Sequence, residues 1–312
     1  MVNEGENLTF IVGHYKSGST WLDNALSCHH WFRGISETHI FRYILTQDLR
    51  TCTNNLFTKT AWSEGGLRKL PRQRLGLWLQ PLTKMWKPVR SPYERPTTLL
   101  DLKLFDQFAL KRKLLRSASK EDYCRNFFQF LYEKLQPYKY LVEKTPTNMP
   151  YVPYIKSVFP KSKLLAIYRD GRDVTVSEKF MKNNLTGETW SFHDSVQTWR
   201  SQIELQMKYE KEYNIFTCSY ESLLQDGKIV MCNILNFLDI PTDDTVIDNM
   251  LYKSSFQYIT GRNAGDENQK SFYRKGISGD WKSYFTEDHK KIFKDIAGDL
   301  LIKLGYEKDY HW

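Results

Sequence analysis

The amino-acid sequence predicts an α/β fold in which helices pack on a parallel sheet. The apolar run LTFIVG at residues 8–13 enters a glycine-containing loop, and the segment after that loop has helical spacing. The same order of strand, polar turn and helix returns in KLLAIYRDGRDVTVSEKFM at residues 163–181. Strands that alternate with helices are typical of a parallel sheet with crossover connections. With 41% hydrophobic and 26% charged residues, the composition is that of a globular protein.

The helix predicted after the first strand carries Trp21, Leu22, Ala25 and Leu26 on one side. In the second motif, the helix is predicted to begin near Asp173. Further apolar runs predict two strands, at residues 138–144 and 214–220, and periodic segments predict helices at 193–212, 228–238 and 286–306.

Residues 42–136 interrupt this alternation. They are rich in Arg, Lys and Pro, and they contain Trp62, Trp78 and Trp86. We expect a largely helical insertion over the carboxyl edge of the sheet, within a single domain of residues 1–312. The insertion would be either a substrate lid or a solvated helical cap without a role in binding.

The charge and the cysteines narrow the classes of partner. The chain has 45 Lys and Arg against 36 Asp and Glu, a formal charge of +9, which favours anionic partners. Because no zinc-finger spacing or RNP-like aromatic motif is present, no nucleic acid is expected. The five cysteines never form a C-x-x-C pair, which argues against a disulfide framework or a zinc site.

No stretch approaches the about 18 continuous apolar residues of a membrane span, and the first residues lack a signal-peptide pattern. We therefore expect a soluble cytoplasmic protein, or a protein of the Golgi lumen if the sequence is an excised domain. The sequons at Asn7 and Asn184 would matter only in the second case.

The loop GHYKSGST at residues 13–20 has the frame of a phosphate-binding loop. Backbone N–H groups and the start of a helix suit an anion. A Walker loop has lysine directly after its second glycine, whereas this chain has Ser19 there and Lys16 inside the loop. We interpret Lys16 as a cation that neutralises charge on a bridging oxygen as the bond to a nucleotide phosphate breaks.

Two other segments have residues that suit anions. YRDGRDVTVS places Arg169 at a strand end and Ser177 in the first turns of a helix, where both could hold a second phosphate. FYRKGISGDWK adds Arg274 and Lys275 on a loop, followed by Gly276, which lets backbone approach an anion closely. Three such segments predict a ligand with phosphates at two ends.

Together these segments resemble the sulfotransferases that depend on 3′-phosphoadenosine-5′-phosphosulfate (PAPS). YKSGSTWL is similar to the family's 5′-phosphosulfate loop, YRDGRDVTVS to its 3′-phosphate segment, and RKGISGDWKSYFT to the C-terminal motif of its cytosolic branch. The resemblance implies a P-loop NTPase-like sulfotransferase fold with a central parallel sheet of about five strands. It also implies transfer of a sulfuryl group from PAPS, release of adenosine 3′,5′-bisphosphate (PAP), and no requirement for a metal.

By position, the resemblance assigns residues of this chain to each part of the donor. They are Lys16, Ser17, Gly18, Ser19 and Thr20 for the 5′ end, Trp21, Tyr220, Ser254 and Phe256 for the adenine side, and Arg169, Ser177, Arg274, Lys275 and Gly276 for the 3′-phosphate.

The acceptor hydroxyl loses its proton as the sulfuryl group arrives, so a base must lie within hydrogen-bond reach of it. Cytosolic relatives carry a catalytic histidine in a K-T-H triplet, whereas this chain has Pro146 at that place. Another branch, which includes Golgi enzymes, uses a glutamate downstream of the loop, and GISETHIF puts Glu37 in that setting. We predict Glu37 as the base and His39 as the alternative. Lys144 matches a family lysine that helps Lys16 stabilise the transferring group.

These residues also have purely structural interpretations. Glu37 would then be a carboxylate in the first turn of a helix, stabilised by the helix dipole. His39 would be a packed or surface histidine, and Arg274 and Lys275 would belong to a surface cluster of ion pairs.

Two other functions stay open at this point: a P-loop kinase or nucleotide hydrolase, and a nucleotide-binding module without turnover. The favoured acceptor is a hydroxyl of a small molecule or a carbohydrate. The cytosolic dimer signature is only partly kept in KSYFTEDHKK, so the sequence does not predict the oligomeric state.

Overall fold

The sheet of this protein has five strands: β1 (Leu8–Gly13), β2 (Phe32–Ser36), β3 (Tyr140–Lys144), β4 (Lys163–Tyr168) and β5 (Ile215–Ser219). Their order is β2-β3-β1-β4-β5, and β2 pairs with β3, and β4 with β5, in parallel. The computed structural model describes residues 2, 4–59, 104–179, 191–269 and 271–312. The predicted α/β fold with a five-stranded parallel sheet is confirmed.

Helices alternate with the strands along the chain. In the described residues they are α1 (Ser19–Ser27), α2 (Ile40–Thr46), α3 (Leu49–Lys59), α4 (Leu104–Leu114), α5 (Lys120–Lys134), α6 (Val152–Val158), α7 (Gly171–Lys179), α8 (Phe192–Glu212), α9 (Tyr220–Phe237), α10 (Asp244–Ser254), α11 (Phe256–Thr260) and α12 (Glu287–Lys303), with short 3-10 helices at Pro146–Tyr151 and Asp280–Ser283.

The chain divides into two compact units, and β1 contributes residues to both. The first unit comprises Met1–Phe10 and Leu26–Ser162. Phenylalanine rings fill its core: the centroid of Phe10 lies 5.5 Å from those of Phe41 and Phe128, both in edge-to-face geometry. Such aromatic pairs contribute about 0.5–1.5 kcal/mol each beyond the area that they bury.

The second unit comprises Ile11–Ala25 and Lys163–Trp312. Its core is built around the buried indole of Trp199, whose Nε1 donates to the carbonyl oxygen of Arg169 (3.2 Å). Gly171 begins α7 beside this indole, and a Cβ atom there would lie 2.5 Å from Trp199 Cδ2. The turn between β4 and α7 therefore needs glycine, and the core holds the backbone of Arg169 in place.

Several elements differ in their bounds from the sequence prediction. α7 begins at Gly171 rather than Asp173. α9 begins at Tyr220 and is kinked at Asp226, which has a φ of −127° and a ψ of 39°, so the helix predicted at 228–238 is its second part. The early start of α9 follows from its cap, because the hydroxyl of Ser219 accepts from the N–H of Ser222 (3.0 Å). The sequence pattern does not predict β2, whose residues FRGIS are too few and too mixed to show a period.

The described parts of residues 42–136 are largely helical and comprise the end of α2 with α3, α4 and α5. Trp62, Trp78, Trp86 and Asn184 lie outside the described residues. The lid and the single domain stay predictions. None of the helices in the described ranges combines the length and the apolar character that a membrane span requires.

Candidate functional site

The predicted phosphate-binding loop connects β1 to α1. The N–H groups of Trp21 and Leu22 donate to the carbonyl oxygen of Gly18 (2.9 and 3.1 Å), so the helix begins directly after this glycine. Gly18 has a φ of 96°, and a Cβ atom there would lie 2.6 Å from Tyr220 Cδ2. Only glycine satisfies both conditions, and the loop places Ser19 and Thr20, in the first turn of α1, in the lining of a pocket.

Lys16 has a left-handed backbone, with a φ of 64°. This conformation is uncommon outside glycine and clusters at functional sites. The Nζ atom of Lys16 lies 4.8 Å from the ring centroid of Phe272. Ser17 is buried, and its hydroxyl has no hydrogen-bond partner among the described residues.

One pocket of the second unit gathers the residues that the sequence assigns to the donor. All of them except Ser17 line it: Lys16, Gly18, Ser19, Thr20, Trp21, Arg169, Ser177, Tyr220, Ser254, Phe256, Arg274, Lys275 and Gly276. Four of these side chains are cationic, and no carboxylate residue is among the described residues of the lining. The lining therefore favours an anionic ligand.

Sequence reasoning missed five further lining residues, which are mostly apolar or aromatic: Leu224, Ile259, Phe272, Tyr273 and Ile277. Leu224 and Ile259 lie one turn after the predicted residues Tyr220 and Phe256 on α9 and α11, and helical spacing could have found them. Phe272 and Tyr273 directly precede Arg274 and could also have been included. The hydroxyl of Tyr273 accepts from Asn24 Nδ2 (2.9 Å), which fastens its loop to α1.

Aromatic side chains form one part of the pocket wall. The rings of Trp21 and Tyr220 are 5.6 Å apart in edge-to-face geometry, and Trp21 Nε1 donates to Ser254 Oγ (3.2 Å). This hydrogen bond fixes the orientation of the indole. The wall offers a rigid aromatic surface to a planar base.

Arg169 is held by contacts on several sides. Its guanidinium lies 4.4 Å from the ring centroid of Tyr220, and Nη2 donates to the carbonyl oxygen of Ile277 (2.7 Å). Nη2 also lies 3.3 Å from Asp173 Oδ2. Because Asp173 accepts from the N–H of Gly279 (2.7 Å), it ties α7 to the loop that follows Gly276. Burial raises the pKa of Asp173, and the charge of Arg169 opposes that rise.

Arg274 and Lys275 line the pocket and also pair with acids. Arg274 Nη1 lies 2.6 Å from Glu267 Oε1, and Nη2 contacts Asp280. Lys275 Nζ lies 2.6 Å from the other oxygen of Asp280. Arg274 and Lys275 thus belong to a cluster of ion pairs, as one interpretation of the sequence predicted. They also line the pocket, as the interpretation as a phosphate site requires.

Gly276→Ala is expected to weaken nucleotide binding, because Gly276 has a φ of 69° and a Cβ atom there would lie 2.4 Å from the Phe256 ring. Gly279→Ala is the matched control, since its φ is 76° and nothing lies within 4 Å of its Cβ position. Both variants should lose about 1–2 kcal/mol of stability from backbone strain. Only Gly276→Ala should also displace Phe256, and calorimetry with PAP measures the difference. Equal affinities for the two variants would contradict this prediction.

In the first unit, β2 and β3 bring Glu37 and Lys144 together. The strands pair with Ser36 opposite Lys144, and Glu37 follows Ser36 in the chain. Lys144 Nζ donates to Glu37 Oε1 (2.8 Å), and the side chains are 3% and 27% exposed. Glu37 lies between β2 and α2, so it is not a carboxylate in the first turn of a helix. The pair combines a buried cation with a carboxylate that solvent reaches.

His39 lies beside Glu37, and Pro146 follows the end of β3. His39 Nε2 lies 3.7 Å from Glu37 Oε2, and its Nδ1 is buried without a hydrogen-bond partner among the described residues. Burial lowers the pKa of His39, and the carboxylate of Glu37 opposes this change. Pro146 is the first residue of the 3-10 helix Pro146–Tyr151, a position that suits proline.

Comparison with known protein families identifies the family of this chain. The model of the sulfotransferase family matches residues 9–244, more than half of the chain. The chain belongs to the sulfotransferase family. The predicted membership of this family is thereby confirmed.

Curated sulfotransferases align with part of the chain. Human sulfotransferase 2A1 is 31% identical over 186 residues, which cover 49% of this chain and 63% of the human protein. Rat sulfotransferase 1 family member D1 is 28% identical over 182 residues, which cover 48% of this chain and 58% of the rat protein. The matched region thus spans less than two thirds of the length of these relatives.

Solved sulfotransferase structures share the fold over nearly the whole chain. The sulfotransferase domain of the Synechococcus olefin synthase superposes with a TM-score of 0.56 at 17% identity, covering 93% of this chain and 94% of that domain. A mouse sulfotransferase crystallised with PAP gives a TM-score of 0.53 at 16% identity, covering 95% of this chain and 84% of the mouse protein.

Proposed function

We propose that this sulfotransferase moves the sulfuryl group of PAPS to a hydroxyl group of an acceptor, which is a small molecule or a carbohydrate. The observation that supports the proposal best is the pocket of the second unit. Residues from the loop after β1, from the segment after β4 and from the loop near Gly276 all line it, although they are far apart in sequence. Its cations and aromatic side chains suit a nucleotide with more than one phosphate.

In the proposed reaction, an acceptor oxygen attacks the sulfur of PAPS and forms a new S–O bond. The bond between sulfur and the oxygen of the 5′-phosphate breaks, and PAP leaves with that electron pair. Lys16 neutralises negative charge on the oxygens of the transferring group, with Lys144 as a second cation. The products are the sulfate ester, PAP and one proton.

That proton passes to Glu37 in our proposal. The carboxylate of Glu37 is partly exposed, and Lys144 holds one of its oxygens at 2.8 Å. His39 Nε2 lies 3.7 Å from the other oxygen of Glu37, and His39 is the alternative base. Lys144 thus orients the carboxylate, and a general base must lie within hydrogen-bond reach of the proton that it takes.

The donor is tested by calorimetry without magnesium, with PAP compared against AMP and ATP. We expect a dissociation constant of about 1 μM or below for PAP, equivalent to about −8 kcal/mol. AMP, which lacks the 3′-phosphate, should bind much more weakly than PAP. A preference for ATP in the presence of magnesium would instead support the kinase or hydrolase.

Arg274→Ala is expected to weaken the binding of PAP about 10- to 100-fold and to change the affinity for AMP little. The reason is that the variant loses one charged hydrogen-bond donor to the 3′-phosphate. The double variant Arg274→Ala/Glu267→Gln is the control, since it removes the carboxylate that Arg274 leaves behind. If the double variant binds PAP like the parent protein, the released charge of Glu267 explains the loss. An unchanged ratio of PAP to AMP affinity in Arg274→Ala would refute the assignment.

A further inference from the structure

Glu143 is a fully buried acid with hydrogen-bond donors on both carboxylate oxygens. Oε1 accepts from the hydroxyl and the N–H of Thr38 (2.8 and 3.2 Å) and from the hydroxyl of Thr145 (2.5 Å). Oε2 accepts from Asn148 Nδ2 (3.0 Å). A buried carboxylate is tolerated only when its oxygens are paired in this way.

The donors belong to two chain segments that leave neighbouring parallel strands. Ile35 and Glu143 are opposite each other in the register of β2 and β3. Thr38 lies just beyond the end of β2, whereas Thr145 and Asn148 lie just beyond the end of β3. The carboxylate of Glu143 therefore connects the chain segment that follows β2 to the segment that follows β3.

The segment that Glu143 holds has an unusual backbone. His39, next to Thr38, has a φ of 52° and lies in the left-handed region. The hydroxyl of Thr38 also accepts from the N–H of Ile40 (3.3 Å), and the N–H of His39 lies 3.5 Å from Thr145 Oγ1. Such a conformation persists only when surrounding contacts fix it.

Thr38 lies in the chain between Glu37, the proposed base, and His39, the alternative base. The side chains of Glu37 and His39 are 27% and 20% exposed, whereas that of Glu143 is buried and cannot meet an acceptor. We propose that Glu143 is a positioning residue, which holds the turn of Glu37 and His39 through Thr38. This inference rests on the proposed function, in which Glu37 accepts the proton.

Three variants separate this role from others. Thr38→Val removes one hydroxyl at nearly constant size, and Glu143→Met removes both acceptor oxygens. Glu143→Gln removes the same charge as Glu143→Met but keeps an oxygen for Thr38 and Thr145. Its amide can donate to Asn148 Oδ1, which has no hydrogen-bond partner among the described residues.

The readout is the proton NMR titration of His39, assigned by the loss of its signal in His39→Gln. The charged groups that act on this ring are Glu37, Arg42 and Lys144, and none of the variants changes them. Burial lowers the pKa of His39 in the parent protein. We expect the pKa to rise toward its ordinary value of about 6.5 in Thr38→Val and Glu143→Met, because a released turn is better solvated. Glu143→Gln should titrate like the parent.

Parental titration of His39 in folded Thr38→Val and Glu143→Met would overturn the inference. So would an equal shift in Glu143→Gln and Glu143→Met, because the charge and not the hydrogen bonds would then be responsible. Thermal unfolding shows which variants are folded.

A kinetic measurement separates this inference from the proposed function. With the acceptor that gives the highest parental rate in a screen of phenols and monosaccharides, Thr38→Val should lower kcat about 10- to 100-fold and leave KM for PAPS unchanged. Glu37→Gln is measured beside it. A parental rate in Glu37→Gln would refute the proposed base while the NMR result would still test the role of Glu143.

Discussion

Glu37→Gln is expected to lower turnover about 10²- to 10⁴-fold, which is the usual contribution of a general base. The amide keeps an oxygen that can accept from Lys144 Nζ, so the buried cation retains a partner. What is lost is the ability to take a proton from the acceptor. The measurement is the rate of PAP release from PAPS in the presence of the best acceptor found by screening.

Two controls belong to this prediction. Glu6→Gln changes an exposed glutamate that also pairs with a lysine, Lys161, and it should leave turnover unchanged. Glu37→Gln should bind PAP with parental affinity, because Glu37 does not line the pocket that we propose for the nucleotide. His39→Gln should reduce turnover less than Glu37→Gln. The reverse order would make His39 the base.

Lys16→Met is expected to damage both nucleotide binding and turnover. The charge of Lys16 is proposed to act on the 5′ end of the donor in the ground state and on the transferring group in the transition state. The loss of such a stabilising group lowers kcat about 10²- to 10³-fold. Methionine has a similar length and requires the same left-handed backbone, so the strain at this position is nearly the same in both proteins.

Calorimetry with PAP and the rate of PAP release measure the two effects of Lys16→Met separately. Lys290→Met is the matched control, because Lys290 forms an exposed ion pair with Glu287 on α12. Parental turnover in Lys16→Met would contradict the proposed reaction. A loss of affinity without a loss of kcat would restrict Lys16 to binding.

Local sequence is sufficient where one short segment contains all the information. Gly13, Gly18 and the hydroxyl residues after them predict the loop between β1 and α1, because the glycines and the helix start lie within a few residues. The segments around Arg169 and Arg274 are predictable for the same reason. The resemblance to the family predicts that these three segments bind one ligand. In the structure, residues of all three line one pocket.

Other features depend on which strands become neighbours. β2 is too short to show a hydrophobic period, and its place is defined by parallel pairing with β3. The pair of Lys144 with Glu37 joins residues 107 positions apart in the chain. No spacing in the sequence predicts this distance of 2.8 Å.

The sequence by itself therefore determined the α/β class and predicted the segments that line the pocket, since each depends on residue chemistry within one local motif. Glu37 was predicted as the base from the resemblance to the family. Only the tertiary structure decided that Glu37 follows a strand, and that Glu143 joins the segments after β2 and β3. It also added Leu224 and Ile259 to the pocket lining. The physical reason is that contacts between distant residues arise from strand register and helix packing, which a local pattern of side chains does not encode.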